Sequence, residues 1–200
     1  MAKRSGPSRP TPRAAEARQS AAEARAEAQT RAREQRAARR AAAAEHWSAG
    51  VGGSALVQSD VVATVVFTVL SVAATVVQPD ATGARRSVVS ATVSFDLAMG
   101  IVGTLLFVAA LVWGAGRSRT HEMTMGGWWF LTDAAPGGVK VRLFGCLAVQ
   151  VVVAFATASI RPFTELAFGF LVPMFGLAVI GAWSARHGWF PERADAGANP

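Results

Sequence analysis

Four apolar runs dominate the chain after its first quarter, over about 59–77, 95–115, 142–160 and 164–184. Each is close to the roughly 20 apolar residues needed to cross a hydrocarbon core. Inside lipid no water satisfies backbone groups, so each run is expected to be a helix. The β-branched cluster Val149, Val151, Val152 and Val153 would lean towards strand in water, but that weak preference loses to backbone satisfaction. The pattern therefore predicts an all-α membrane protein with four transmembrane helices.

The punctuation between the runs predicts where the helices end. Ser59-Asp60 is expected to cap the first and Gln78-Pro79-Asp80 to stop it. A loop over 79–94 carries Arg85 and Arg86, and Ser94 and Asp96 open the second run. The last two runs form a hairpin around Arg161-Pro162-Phe163-Thr164-Glu165. Pro162 stops the first arm, and Thr164-Glu165 offers a cap and an acidic first turn to the second. Pro173, inside the last run, is expected to kink it. Ser184-Ala185-Arg186-His187-Gly188 reads as a helix exit.

The connection over 116–142 is the longest. Gly126-Gly127-Trp128-Trp129-Phe130-Leu131 is too short to span and suits an interfacial segment. Pro136-Gly137-Gly138 reads as a turn before the third helix. His121, Met123 and Met125 alternate there, but no second His follows at the spacing a zinc protease needs and no further soft ligand is near.

The first 46 residues differ in kind. Up to Glu45 they contain no Leu, Ile, Val or aromatic residue, so they cannot bury a core. From Ala14 the segment is almost entirely Ala, Arg, Glu and Gln, all strong helix formers, with Glu27 and Arg31 at a favourable i,i+4 spacing. It is expected to be a disordered or solvated-helical basic cytoplasmic tail; as a coiled coil it would need an all-Ala seam. No apolar region suited to a signal peptide occurs within it. Residues 47–190 then form the membrane domain, and 191–200 a disordered C-terminus.

Composition sharpens this division. The 200 residues are 52% hydrophobic with a net charge of +7. Eleven basic and five acidic residues fall in the tail, leaving the remainder near neutral. Arg31, Arg33, Arg36, Arg39 and Arg40 lie just before Trp47 and the first span, where anionic phospholipid headgroups would attract them. Interspersed glutamates and missing aromatics argue against nucleic acid as the partner. Positive-inside counting, dominated by the tail, places both termini in the cytoplasm; the cell inner (plasma) membrane is the expected location. Under that topology all six tryptophans fall at the cytoplasmic boundary.

Chemistry is sparse. Asp60, Asp96, Arg161 and Glu165 all read as span ends, and Gln150 is the strongly polar mid-span side chain. Thr64, Thr68, Ser71 and Thr75 share a face of the first helix, expected to be a packing seam that receives Gln150. Gly100, Gly103 and Thr104 form a second small-residue patch. The single cysteine, Cys146, has no disulfide partner in the chain. No nucleophile–base set, phosphate loop or cofactor motif is visible, so no enzyme activity and no cofactor are expected.

The segments Gly-Gly-Trp-Trp-Phe-Leu-Thr (126–132), Leu-Ala-Val-Gln-Val-Val-Val (147–153), Arg-Pro-Phe-Thr (161–164), Leu-Ala-Phe-Gly (166–169) and Ala-Arg-His-Gly (185–188) resemble small, uncharacterised multi-pass membrane proteins of actinobacteria. The resemblance covers the last third to half of the chain and leaves the tail outside. It implies an integral membrane family and brings no catalytic residues. The resulting expectation is a non-enzymatic scaffold or modulator of a membrane-protein partner, with a small homo-oligomeric transporter or channel as the alternative.

Overall fold

A computed structural model describes residues 12–77 and 82–193. The chain is an all-α membrane protein, with four helices long and apolar enough to cross a bilayer. It divides into two units, Met1–Ala42 and Ala43–Pro200.

The first unit, as far as it is described, is helical. Helix α1, Pro12–Ser48, runs through it and continues into the second unit. From Ser20 to Ala42 its side chains are exposed, apart from a half-buried Ala32. Glu27 and Arg31 pair across one turn at 3.3 Å. Over residues 20–42 almost nothing apolar is buried, and high intrinsic propensity and such pairs sustain the helix there.

The second unit is a helical bundle. Its spans are α2 (Ser54–Val77), α3 (Ala84–Arg117) and α5 (Gly137–Ile160). The fourth span is a 3-10 segment, Glu165–Leu171, followed by α6 (Pro173–His187). A short helix, α4 (Met125–Phe130), lies between α3 and α5. The last span is the centre: 61% of it is buried, against 22–28% for each of the other three. Gly176, Ala178, Gly181, Ala182, Ser184 and Ala185 are buried on α6, and their small size lets neighbouring helices approach closely. At Gly103 on α3 the approach is to backbone: a Cβ there would stand 2.7 Å from the Phe175 nitrogen of α6.

The helices start earlier than the polar residues suggested. Helix α2 begins at Ser54, after a turn using positive φ at Gly50 and Gly53, so Ser59 and Asp60 lie inside it rather than capping it. Helix α3 begins at Ala84, so most of the expected 79–94 loop is helix. Hydroxyl residues there bond back to their own helix, as Thr92 Oγ1 does to the Val88 carbonyl at 2.9 Å, and Val89 is fully buried against Ala74 and Leu166. Ser94 and Asp96 are therefore interior positions. Helix α5 starts at Gly137, with Pro136 at its N-cap. The stop at 78–80 and the last seven residues lie outside the described residues.

Two local expectations are corrected. Pro173 does not interrupt an α-helix; it occupies the first position of α6, where its missing N–H costs nothing. The preceding turns are 3-10 instead. Thr164 makes no side-chain cap; its hydroxyl donates to the Arg161 carbonyl at 2.8 Å. Within the expected disordered C-terminus, Pro191 and Arg193 are held by backbone bonds to Glu122 (2.8 Å) and Thr120 (2.9 Å).

Candidate functional site

The buried face of α2 is Val57, Asp60, Thr64, Phe67, Ser71 and Ala74, a 3-4 spacing that makes one stripe. The stripe carries the site. Gln150, fully buried on α5, reaches it with its amide: Nε2 donates to Thr64 Oγ1 at 2.8 Å and to Asp60 Oδ1 at 3.0 Å. Thr64 Oγ1 in turn donates to the Asp60 carbonyl at 2.7 Å. Gly176 of α6 leaves room for the Gln150 amide, whose Oε1 a Cβ at that position would strike. Two buried oxygens of this group have no hydrogen-bond partner, Asp60 Oδ2 and Gln150 Oε1.

Of the expected seam, then, Thr64 meets Gln150. The hydroxyls of Thr68 and Thr75 return to their own helix, to the carbonyls of Thr64 (2.8 Å) and Ser71 (2.7 Å). Ser71 is buried, and Thr68 and Thr75 sit at the rim of the stripe.

A second carboxyl lies in another layer. Asp96 on α3 is 1% exposed, and its Oδ1 has no partner. It follows Ala84 by twelve residues, about 18 Å of helix rise. Its Oδ2 and the Phe67 ring both lie under 4 Å from where a Gly169 Cβ would be. Phe67 follows Asp60 by seven residues, so the two carboxyls occupy layers about 10 Å apart. The expectation that all acidic residues sit at span ends is thus overturned for Asp60 and Asp96, because α2 and α3 both extend past them. Glu165 does sit at an end, paired with Arg86 at 2.7 Å. Arg161 ties the same end together, donating from Nε to the Thr75 carbonyl at 3.3 Å.

The signal for Asp60 was present in the sequence. Counting four residues back from Thr64 reaches it, but a polar triplet, Gln58-Ser59-Asp60, resembles a helix start.

The opposite end gathers aromatic rings. Trp183 is fully buried, stacks on Trp47 at 6.0 Å and donates to the Gly52 carbonyl at 3.2 Å. Trp128 of α4 donates to the Gly181 carbonyl at 3.1 Å, and Trp129 stacks beside it. Arg186 lies over Trp113, 4.7 Å from the ring centre. These rings pack onto the bundle, so the expected 126–131 segment is the docked helix α4, capped by the Thr124 hydroxyl on the Gly127 N–H and ended by Leu131 at positive φ. Near this end a groove of about 750 Å³ runs between the starts of α2 and α5, with Arg142 and Gln58 in its lining.

Arg31, Arg33, Arg36, Arg39 and Arg40 are exposed on α1. At 100° per residue they spread over an arc of about 200°, wider than a single stripe. Among the described residues, no three His, Cys, Asp or Glu side chains gather where they could hold a metal ion. No family model matches the chain, and neither does any curated protein or any solved structure.

Proposed function

We propose that this chain is a multi-pass protein of the cell membrane that acts without catalysis, as a scaffold or modulator of a membrane partner. The observation that carries this reading is α1, a 37-residue helix, exposed over residues 20–42 but for half-buried Ala32, with no apolar stripe of its own. Over that stretch the helix serves no core, and its charges suit an external surface. The bundle, by contrast, supplies a compact anchor through Trp47 and Trp183. The Trp end also collects Arg117, Arg119, Lys140, Arg142 and Arg186, against Arg85, Arg86 and Arg161 at the other. That bias, added to the basic tail, supports a cytoplasmic Trp end and cytoplasmic termini.

The test is photo-crosslinking from exposed α1 positions such as Arg33 in native membranes, with a chain lacking residues 1–42 as control. A discrete crosslinked partner, and its loss from pull-downs of the truncated chain, would support the scaffold. An unchanged partner set after truncation would remove it.

One observation favours a second reading, a small oligomeric transporter. Asp60 and Asp96 are buried carboxyls inside apolar spans, positions that commonly mark ion or proton pathways. Flux across proteoliposomes, lost on changing either residue to Asn, would prefer it.

A further inference from the structure

The polar group between α2 and α5 is unfinished. Gln150 supplies its one amide as donor to Asp60 Oδ1 and Thr64 Oγ1. What is left over is all acceptor: Asp60 Oδ2 and Gln150 Oε1, both on side chains with no exposed surface. Buried polar atoms are satisfied in nearly all folded structures, so a pair of orphans in one place calls for a partner. Two lone-pair oxygens accept a positive centre or a donor hydrogen, and a carboxyl in an apolar interior carries no net charge unless something neutralises it.

The protein's own cations do not do this. Helix α2 contains no basic residue. From α5 the site is faced by Gln150 and by Cys146, one turn earlier, whose thiol interacts with Asp60 and Thr64 but is a weak donor that brings no charge; Arg142, one turn before Cys146, lines the surface groove beside Gln58 and Val61. From α6 it is faced by Gly176, and the basic residues of that helix, Arg186 and His187, are in its last turn. Helix α3 offers Asp96, in another layer and itself a carboxyl.

We infer that Asp60 and Gln150, with Thr64 holding them in register, form a buried site for one hard monovalent cation, either a proton or an alkali-metal ion. The shared chemistry is a single positive centre accepted by Asp60 Oδ2 and Gln150 Oε1. Asp60 is six residues into α2, about 9 Å from its start at the Trp end, so exchange would be with that side. The inference does not rest on the scaffold reading; a chain with no partner would still bind the cation.

The experiment uses the full-length protein in nanodiscs and compares it with Asp60→Asn, which keeps an oxygen to accept from Gln150. In choline buffer the infrared carbonyl stretch of a protonated carboxyl is followed against pH. At each pH, sodium chloride is then exchanged for choline chloride at constant ionic strength and Tm is read. The proton source predicts a carboxylic-acid band that shifts in D2O and is lost in Asp60→Asn but kept in Asp96→Asn. The metal source predicts that the band seen in choline disappears on adding sodium, with a rise in Tm that Asp60→Asn abolishes; the proton source predicts that sodium changes neither. If Asp60→Asn does not fold, carbodiimide labelling of the unaltered protein replaces it. Mass spectrometry then finds Asp60 modified in choline in either case, with protection by sodium for the metal source alone. An Asp60 that shows no acid band, no sodium effect on Tm and no labelling overturns the site.

Discussion

Asp60 and Gln150 are ninety residues apart in the chain and meet at 3.0 Å inside the bundle, acceptor and donor. That contact joins the first span to the third and changes what a substitution there should cost. A lone interhelical hydrogen bond in a membrane is worth about 0.6 kcal/mol on average. Gln150→Leu removes two bonds and strands the Asp60 carboxyl in an apolar interior. Leaving a buried polar group unsatisfied costs about 1–3 kcal/mol, so Gln150→Leu should lose about 2 kcal/mol of stability. Replacing Asp60 by Leu as well should restore part of that loss. Unfolding of the single and double variants in mixed micelles measures both. Additive losses would mean the two side chains are not coupled.

Glycine positions on the spans should separate sharply. Gly103→Ala would bring a methyl to 2.7 Å from the Phe175 nitrogen, and backbone cannot swing aside as a side chain can. Overpacking of this kind costs about 1–3 kcal/mol. Gly145→Ala on α5 meets nothing within 4 Å and replaces a glycine in a helix interior, so it should be neutral or gain a few tenths to about 1 kcal/mol. Thermal unfolding of the two variants side by side gives the answer, and equal effects would contradict the α3–α6 packing described.

The middle of every span was legible in the sequence and the ends were not. Length and hydropathy alone locate 95–115 or 142–160, because lipid leaves one backbone solution. The ends depend on which polar residues a helix can absorb. Ser59 and Thr92 look like breakers, yet their hydroxyls return to carbonyls one turn back, at Leu56 (2.9 Å) and Val88 (2.9 Å). Asp96 has no such local partner, and only tertiary packing beside Phe67 and Gly169 buries it. Pro173 was legible as a disturbance but not as a start. Deciding that required the 3-10 turns before it, which no periodicity announces.

The tail leads to a prediction about surfaces. Cytoplasmic leaflets attract a nearby basic residue by roughly 1 kcal/mol within a Debye length, and α1 presents five arginines between residues 31 and 40. Their wide arc means that only some can face a membrane at once. A peptide covering residues 13–50 should become more helical with anionic vesicles than with neutral ones, and the gain should fade with salt. Circular dichroism checks this. Equal helicity with both vesicle types would leave α1 as a spacer or a protein-binding arm.

A four-span bundle with its Trp end in the cytoplasm puts Gly83 on the opposite side of the membrane. Paired topology reporters at Gly83 and at the C-terminus test it most directly, one reporter active only in the cytoplasm and one only outside. Gly83 should be active with the external reporter alone and the C-terminus with the cytoplasmic reporter alone. A cytoplasmic reporter active at Gly83 would contradict it.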